Sequence, residues 1–293
     1  MHPFLILALA AAPLQGGEGP HAAANAEFSI PFELDHGHIF VSAYVNGRGP
    51  YRFGFDTGAS GTGRADARLT AELSLPQVAQ TANSDGVTVA AADVVSVESL
   101  RLGALEKRNV TLISRDYNKG RDPGAPALMG IIARDFFADR VVTIDYPKRT
   151  ITFRTGALRS DEGGVFAYSG SLAVPVCFAA GCFPGKLDTG SSRGIVVPKA
   201  LLAKISASEP VLVGRAARTN SIATLYEMQL KEPVRIGGVT AVAQKVLYAD
   251  PSDSAINIGS DFLKDYVLTI DQKHRLVRLT MPDTNQAEAR PRA

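Results

Sequence analysis

The sequence has little net charge and no long apolar segment, and each absence excludes a class of protein. Its 31 lysines and arginines nearly balance 29 aspartates and glutamates, and no basic run follows the pattern of a phosphate-binding surface. Nucleic acid is therefore not expected as a partner. The apolar run FLILALAAAPL near the N-terminus is too short to span a bilayer, and no later segment is typical of a membrane helix. We expect no stable membrane insertion.

The same apolar run has the order of a secretory signal peptide. It is followed by a polar stretch and by AAANA, a small-residue site that ends at Ala26. The positively charged start typical of such peptides is absent, since only His2 precedes the run. Residues 1–26 are predicted to be a signal peptide cleaved after Ala26, which places the mature protein in the periplasm or outside the cell.

Cysteine and histidine are also scarce. The two cysteines, Cys177 and Cys182, flank a four-residue turn, and in an exported protein this spacing favours a disulfide across a hairpin. A redox or metal pair is disfavoured, because the C-x-x-C spacing and a nearby histidine are missing. His36 and His38 lack an identifiable third ligand, so they are interpreted as solvent-facing. We expect neither a metal nor a cofactor.

Short β-rich runs separated by Gly, Pro, Asn and Asp make up most of the sequence. HIFVSAYV and RGPYRFGFD flank an Asn46-Gly47 turn, and further hairpins are predicted at residues 142–153 and 268–279. Helical periodicity is limited to residues 65–73 and 198–205. The pattern predicts an all-β protein with a few short helices.

One β unit occurs twice. FDTGAS (residues 55–60) returns as LDTGSS (residues 187–192), ARDFF returns as GSDFL, and VTIDYPKR returns as LTIDQKHR. The repeats predict two lobes, and the boundaries follow from the polar, Gly-rich stretch between them. The predicted parts are an N-terminal lobe at 27–158, a linker at 159–170, a C-terminal lobe at 171–281 and a disordered tail at 282–293.

The repeated D-T-G turn supports a specific chemistry. Each turn carries an aspartate, Asp56 or Asp188, out of an apolar strand, and its glycine lets the backbone approach closely. Two carboxyls brought together cannot both ionise easily, so they share one proton. One then acts as base and the other as acid, which activates water without a metal or a covalent intermediate.

With these motifs the sequence resembles the pepsin-like and retropepsin-like aspartic proteases over about residues 28–281. The resemblance implies a bilobal acid protease fold that hydrolyses peptide bonds of extended polypeptides. Because one chain supplies both turns, it also implies a monomer. It makes Asp56 and Asp188 the catalytic dyad. The remaining residues of the two turns take supporting roles by the same resemblance: interlocking threonines Thr57 and Thr189, glycines Gly58 and Gly190 beside the substrate, and serines Ser60 and Ser191.

The sequence departs from the family pattern behind both turns and at the flap. GIIARDF has Ala133 where Gly is usual, and INIGSDF has Asn257 at a hydrophobic position. The flap tyrosine of pepsin-like enzymes is missing, since no tyrosine lies between positions 51 and 117. A flap is still predicted at residues 83–89, where Asp85 and Gly86 form a hairpin signal. These features favour the retropepsin side of the family, fused in duplicate.

The two turns differ after D-T-G, with Ala59 in the first and Ser191 in the second. A hydroxyl at position 191 is predicted to donate to Asp188 and to favour its charged form. Asp188 is then the more readily ionised carboxyl, and Asp56 holds the shared proton.

Two alternatives remain open. Common ancestry of the lobes is compatible with a catalytically silent, peptide-binding relative. GSSRG also matches the G-x-S-x-G elbow of serine esterases around Ser192, although the chain lacks an α/β pattern and has only His274 downstream. Asp145 and Asp271, which recur in the T-I-D hairpins, are interpreted as turn-forming residues.

Overall fold

A computed structural model describes residues 27–84, 87–119, 124–217, 220–237, 239–241, 245–252 and 254–282. The predicted signal peptide and most of the predicted tail lie outside these residues. The described chain is mostly β-strand, arranged in three sheets with a few short helices, which confirms the predicted fold class. Strands and helices are numbered in chain order.

The first lobe is built on an eight-stranded sheet with the order β2-β3-β4-β9-β5-β8-β7-β6. Its strands are β2 (Glu33–Asp35), β3 (His38–Val45), β4 (Arg48–Asp56), β5 (Gly63–Asp66), β6 (Gln77–Ser84), β7 (Val89–Leu102), β8 (Leu105–Arg115) and β9 (Gly130–Ala133). The predicted turn joins β3 to β4, and Asn46 and Gly47 both have positive φ, as a two-residue hairpin turn requires.

The second lobe is built on a nine-stranded sheet with the order β16-β17-β20-β15-β21-β14-β13-β18-β19. Its strands are β13 (Ala173–Phe178), β14 (Gly181–Leu187), β15 (Ile195–Val196), β16 (Val211–Ala217), β17 (Ile222–Gln229), β18 (Val234–Ile236), β19 (Val239–Ala241), β20 (Lys245–Asp250) and β21 (Ile256–Ile258). A disulfide joins Cys177 to Cys182 across the β13–β14 hairpin.

A six-stranded sheet with the order β1-β11-β10-β22-β23-β12 connects the lobes. Its strands are β1 (Phe28–Pro31), β10 (Val141–Asp145), β11 (Thr150–Arg154), β12 (Val165–Ala167), β22 (Val267–Asp271) and β23 (Leu276–Thr280). The hairpins β10–β11 and β22–β23 confirm those predicted at the T-I-D repeats, and they meet along β10 and β22. Strand β12 lies within the segment predicted as a linker and pairs with β23.

The helices are short. They are α1 (Ala67–Glu72), α2 (Leu202–Ile205), α3 (Ser260–Leu263) and two 3₁₀ helices at Arg134–Phe137 and Lys199–Leu201. The Asp66 side chain caps α1 by accepting the Arg68 N–H at 2.9 Å. In the described part of the chain, no helix has the length and apolar character needed to cross a membrane.

The duplication is visible in how the strands pair. In each lobe the strand leading to D-T-G is antiparallel to the preceding strand and parallel to a later one, β4 beside β9 and β14 beside β21. The strand after the turn, β5 or β15, is in turn antiparallel to that later strand. The lobes therefore place their D-T-G turns at equivalent points of equivalent sheets.

Aromatic side chains fill the core behind the first turn. Phe55 stacks on Phe137 with ring centroids 5.0 Å apart and meets the edge of Phe153 at 6.5 Å. All three are buried, and apolar side chains of both lobes continue the same core. Burial of this size is the main contribution to holding β4 in place.

The two T-I-D aspartates stabilise turns, as predicted, but with different numbers of contacts. Asp145 accepts the Lys148 N–H at 3.0 Å near the surface. Asp271 is buried and accepts the His274 N–H at 3.1 Å and the Leu158 N–H at 2.9 Å. It also bonds His274 Nδ1 at 2.8 Å. Asp271 thus fastens the segment after the first lobe to the shared sheet.

We expect Asp271→Ala to lower the free energy of unfolding by about 3 kcal/mol, because it leaves buried N–H groups without an acceptor. The equivalent Asp145→Ala should cost about 1 kcal/mol, since water replaces its partner. Urea denaturation of both variants checks the order. Equal losses would contradict the assignment of Asp271 as a buried anchor.

Candidate active site

The D-T-G turns leave the middle of their sheets, supported by the neighbouring parallel strands. Asp56 is the last residue of β4 and pairs with Ala133 of β9. Asp188 directly follows β14 and donates its N–H to the Ile258 carbonyl of β21 at 2.9 Å. The departure at position 133 is accommodated, because Ala133 is fully buried at this pairing. Both aspartates are thus held by backbone on two sides.

Two buried threonines interlock the turns. The Thr57 hydroxyl donates to the Leu187 carbonyl at 3.0 Å and accepts the Thr189 N–H at 3.1 Å. Reciprocally, the Thr189 hydroxyl donates to the Phe55 carbonyl at 2.8 Å and accepts the Thr57 N–H at 3.0 Å. Both threonines are fully buried, so water does not compete for these four hydrogen bonds.

The glycines of the two turns allow the carboxyls to approach. A Cβ at Gly58 would overlap the Asp188 carboxyl, and a Cβ at Gly190 would overlap that of Asp56. Each glycine therefore lies against the aspartate of the opposite lobe. Glycine is required at both positions because no other residue leaves this space free.

Asp56 lies in an environment that favours its neutral form. Its Oδ1 accepts the Gly58 N–H at 2.7 Å and the Ala59 N–H at 3.0 Å. Burial, followed by the charge of Asp188, nevertheless raises the pKa of Asp56 to about 7, and a hydrogen bond between the two carboxyls acts in the same direction. The two carboxyls are therefore close enough to share a proton.

Asp188 is surrounded by donors of its own lobe. Its Oδ1 accepts the Gly190 N–H at 3.1 Å, and its Oδ2 accepts the Asn257 Nδ2–H at 2.6 Å. Lys186 Nζ lies 4.0 Å from the same Oδ2. Asn257, which stands where the family pattern has a hydrophobic residue, is therefore a direct hydrogen-bond partner of Asp188.

The hydrogen bond predicted from Ser191 to Asp188 is not found among the described residues. The Ser191 hydroxyl instead accepts the Arg193 N–H at 3.4 Å and lies against Gly259. The turn directs this side chain toward the α3 start, away from the carboxylate. The predicted donor was wrong: the side-chain donor to Asp188 is Asn257, and Lys186 Nζ lies 4.0 Å from the same carboxylate oxygen.

The other serines of the turns lie outside the carboxyl pair. Ser60 is exposed, and its carbonyl accepts Arg64 Nη1 at 2.8 Å. Ser192 packs against Gly37, in the turn between β2 and β3. His274 bonds Asp271, and no hydrogen bond joins it to Ser192 in the described part of the chain. The geometry gives the esterase alternative no support.

A hairpin of the first lobe reaches the second lobe. Strands β6 and β7 pair up to Ser84 and Val89, while Asp85 and Gly86 of the predicted flap lie outside the described residues. Asn220 of the second lobe donates to the Asn83 carbonyl at 2.9 Å and to the Thr88 carbonyl at 2.8 Å. Asn220 also accepts a hydrogen bond from Arg115.

Arg134 contacts the first turn and Tyr117 is influenced by the charge of Asp56, and no sequence pattern singled out either residue. Arg134 Nη1 donates to the Thr57 carbonyl at 3.3 Å. Burial raises the pKa of Tyr117 to about 12, and the charge of Asp56 contributes to the same rise. The Tyr117 hydroxyl is buried, and no hydrogen-bond partner for it lies within the described part of the chain.

Metal ligands do not cluster in the part of the chain that the structure describes, where no three His, Cys, Asp or Glu side chains come together. The imidazole of His36 is largely exposed, and its Nε2 lies 3.6 Å from Asp35 Oδ1.

We expect Thr57→Val to lower the free energy of unfolding by about 3 kcal/mol, because the Thr189 N–H and the Leu187 carbonyl lose their buried partner. Thr57→Ser keeps the hydroxyl and should cost about 1 kcal/mol. Thermal and urea unfolding compare the two variants. If valine and serine have the same effect, the hydrogen bonds between the turns contribute nothing measurable.

Comparisons with known proteins agree with this geometry. Residues 41–136, which include the first turn, match the family model described as aspartyl protease. The crystal structure of aspartic proteinase from Irpex lacteus superposes with a TM-score of 0.53 at 13% identity, covering 89% of this chain and 99% of that one. No curated protein sequence matches the chain.

At 13% identity the structural match shows the fold alone. The family match adds a likeness in sequence, which is limited to residues 41–136 of the first lobe. The resemblance to the aspartic proteases is thereby confirmed: the chain has the bilobal all-β fold of a pepsin-like aspartic proteinase, and its first D-T-G lobe matches the aspartyl protease family.

Proposed function

We propose that the protein is an aspartic endopeptidase that hydrolyses extended polypeptides with water activated between Asp56 and Asp188. The observation that carries the proposal is the pair of carboxyls, held face to face by interlocked turns, of which one has its pKa raised to about 7. A carboxyl that stays neutral beside a charged one supplies an acid and a base together.

Water attack begins the proposed reaction. The Asp188 carboxylate accepts a proton from the water molecule while the water oxygen forms a bond to the carbonyl carbon of the peptide. The neutral Asp56 carboxyl donates its proton to the carbonyl oxygen. The product is a tetrahedral diol, with Asp188 now protonated and Asp56 charged.

Breakdown of the diol restores the dyad. Asp188 gives its proton to the peptide nitrogen, the carbon–nitrogen bond breaks, and one diol hydroxyl returns its proton to Asp56. The products are a carboxylic acid and an amine, and the sum of the two steps adds one water to one peptide bond. No residue of the chain forms a covalent bond to the substrate.

We propose that an extended substrate is held between the dyad and a hairpin of the first lobe. The β6–β7 hairpin meets the second lobe through Asn220, which donates to the carbonyls of Asn83 in β6 and of Thr88, the residue before β7. We propose that this hairpin is the flap and covers the polypeptide. The tyrosine that pepsin-like enzymes carry on their flap is missing from it. Main-chain groups along such a hairpin are suited to bind an extended peptide.

We further propose that the chain acts as a monomer after export. Both turns come from one chain, so a second copy is not needed to complete the dyad. The order of apolar, polar and small residues before Ala26 supports cleavage there. N-terminal sequencing of the mature protein should then begin at Glu27.

Replacing either aspartate should abolish cleavage. We expect Asp56→Asn and Asp188→Asn each to lower kcat/KM by about 10³-fold or more, because each removes one partner of the proton transfer. Ser192→Ala is the matched control and should retain activity. The assay is mass spectrometry of a mixed peptide library incubated with the mature protein across pH.

Each alternative has its own signature in that assay. Peptide binding without cleavage at any pH would identify a silent relative. Loss of hydrolysis in Ser192→Ala, with both asparagine variants active, would identify a serine esterase and overturn the proposal.

The wild-type rate should fall as the pH rises through about 7, because Asp56 then loses the proton that the reaction needs. The raised pKa means that the neutral form persists up to this value and disappears above it. A pH profile of kcat/KM checks the position of this limb. A rate that rises through pH 8 would contradict an acid role for Asp56.

A further inference from the structure

The two lobes have equivalent backbones around the dyad but different side chains. In the first lobe, Gly54 of β4 pairs with Ile131 of β9, two residues before Asp56. In the second lobe, Lys186 of β14 pairs with Asn257 of β21 at the corresponding position before Asp188. A cation and an amide therefore stand where the first lobe has no polar side chain.

Both of these side chains are directed at one carboxylate oxygen. Side chains two residues apart on a strand share a face, which places Lys186 on the face of Asp188. Its Nζ lies 4.0 Å from Asp188 Oδ2, and Asn257 Nδ2 donates to the same oxygen at 2.6 Å. The side chain of Asp188 is only 17% exposed, so solvent screens these interactions weakly.

The orientation of Asn257 supports a charged Asp188. The amide donates to the carboxylate, while its buried Oδ1 has no hydrogen-bond partner among the residues that the structure describes. An unpaired buried acceptor is costly, and a charge-assisted hydrogen bond offsets this cost better than a neutral one.

The remaining charged and titratable groups around the pair do not compete for this role. The charge of Asp56 acts on Tyr117 and that of Asp188 on Tyr146, and burial raises the pKa of both phenols, so they stay neutral in the acidic and neutral range. Arg134 donates to the Thr57 carbonyl and not to either carboxylate.

We propose that Lys186 and Asn257 are positioning residues that keep Asp188 charged, so that Asp56 carries the shared proton and acts as the acid. This inference rests on the proposed function for its consequence in catalysis. The functional difference between the two aspartates then arises from Lys186 in β14 and Asn257 in β21, and not from Ala59 and Ser191 as the sequence predicted.

The two residues have separable effects on the pH profile. Asn257 bonds charged Asp188 whether or not Asp56 is protonated, so it lowers the pKa of only the first proton that the pair loses. Lys186 is a cation near both carboxyls, so it lowers the pKa of both steps. The two macroscopic pKa values belong to the pair and not to single residues. For this reason the limbs of the pH profile are compared between variants.

We expect Asn257→Ile, which copies the first lobe, to move the acid limb of kcat/KM up by about one pH unit and to leave the basic limb in place. Lys186→Met should move both limbs up, and Lys186→Arg should restore them. Lys273→Met, which removes the same charge from an exposed turn, is the control and should move neither limb. A lower rate with unmoved limbs in both site variants would overturn the proposal.

A second measurement keeps the inference apart from the proposed function. Carbon-13 NMR of aspartate-labelled protein follows both carboxyl carbons without substrate, with Asp56→Asn and Asp188→Asn used for assignment. We expect the Asp56 signal to titrate near pH 7, and the separation between the two signals to shrink in Asn257→Ile. This result without any cleavage would reject the proposed function alone. Cleavage with an unchanged separation would reject the inference alone.

Discussion

The reciprocal hydrogen bonds between Thr57 and Thr189 set the distance on which the site depends. Each hydroxyl reaches across to a carbonyl of the other lobe and accepts the N–H of the other threonine. Because each aspartate immediately precedes its threonine, the separation of the carboxyls follows from this contact. The parallel strands β9 and β21 and the aromatic core behind β4 hold the two turns in place.

Holding two carboxyls together in this way has an electrostatic cost. Burial and repulsion by Asp188 raise the pKa of Asp56, and the proposed reaction uses this carboxyl as the acid. A symmetric dimer would present the same neighbours to both aspartates. A duplicated chain can change one lobe alone, and here Lys186 and Asn257 stand on one side of the pair only.

Local patterns predicted the elements and the two turns well. The Asn46-Gly47 hairpin, the T-I-D hairpins and the helix after β5 follow from turn chemistry, capping and short-range periodicity. The threonine and aspartate positions followed from the internal repeat. These features depend on neighbours in the sequence or on comparison of one lobe with the other.

The partners of Asp188 were missed, for two different reasons. Lys186 could have been found from the sequence, since strand alternation alone places it on the face of Asp188. Asn257 could not, because its role requires the register of β14 on β21. The Ser191 prediction failed because adjacency to Asp188 in sequence does not give the direction of the hydroxyl. The Asn220 contact joins strand β6 to the other lobe, which no local pattern encodes.

The most direct test of the shared-proton pair is calorimetry of a peptide inhibitor in which a secondary alcohol replaces the scissile bond. We expect the alcohol to take the place of the attacking water and to bond both carboxyls. The account predicts tight binding that weakens as the pH rises through about 7 and is lost when either Asp56 or Asp188 is replaced by asparagine. Binding that is absent at every pH, or unchanged in both variants, would contradict it.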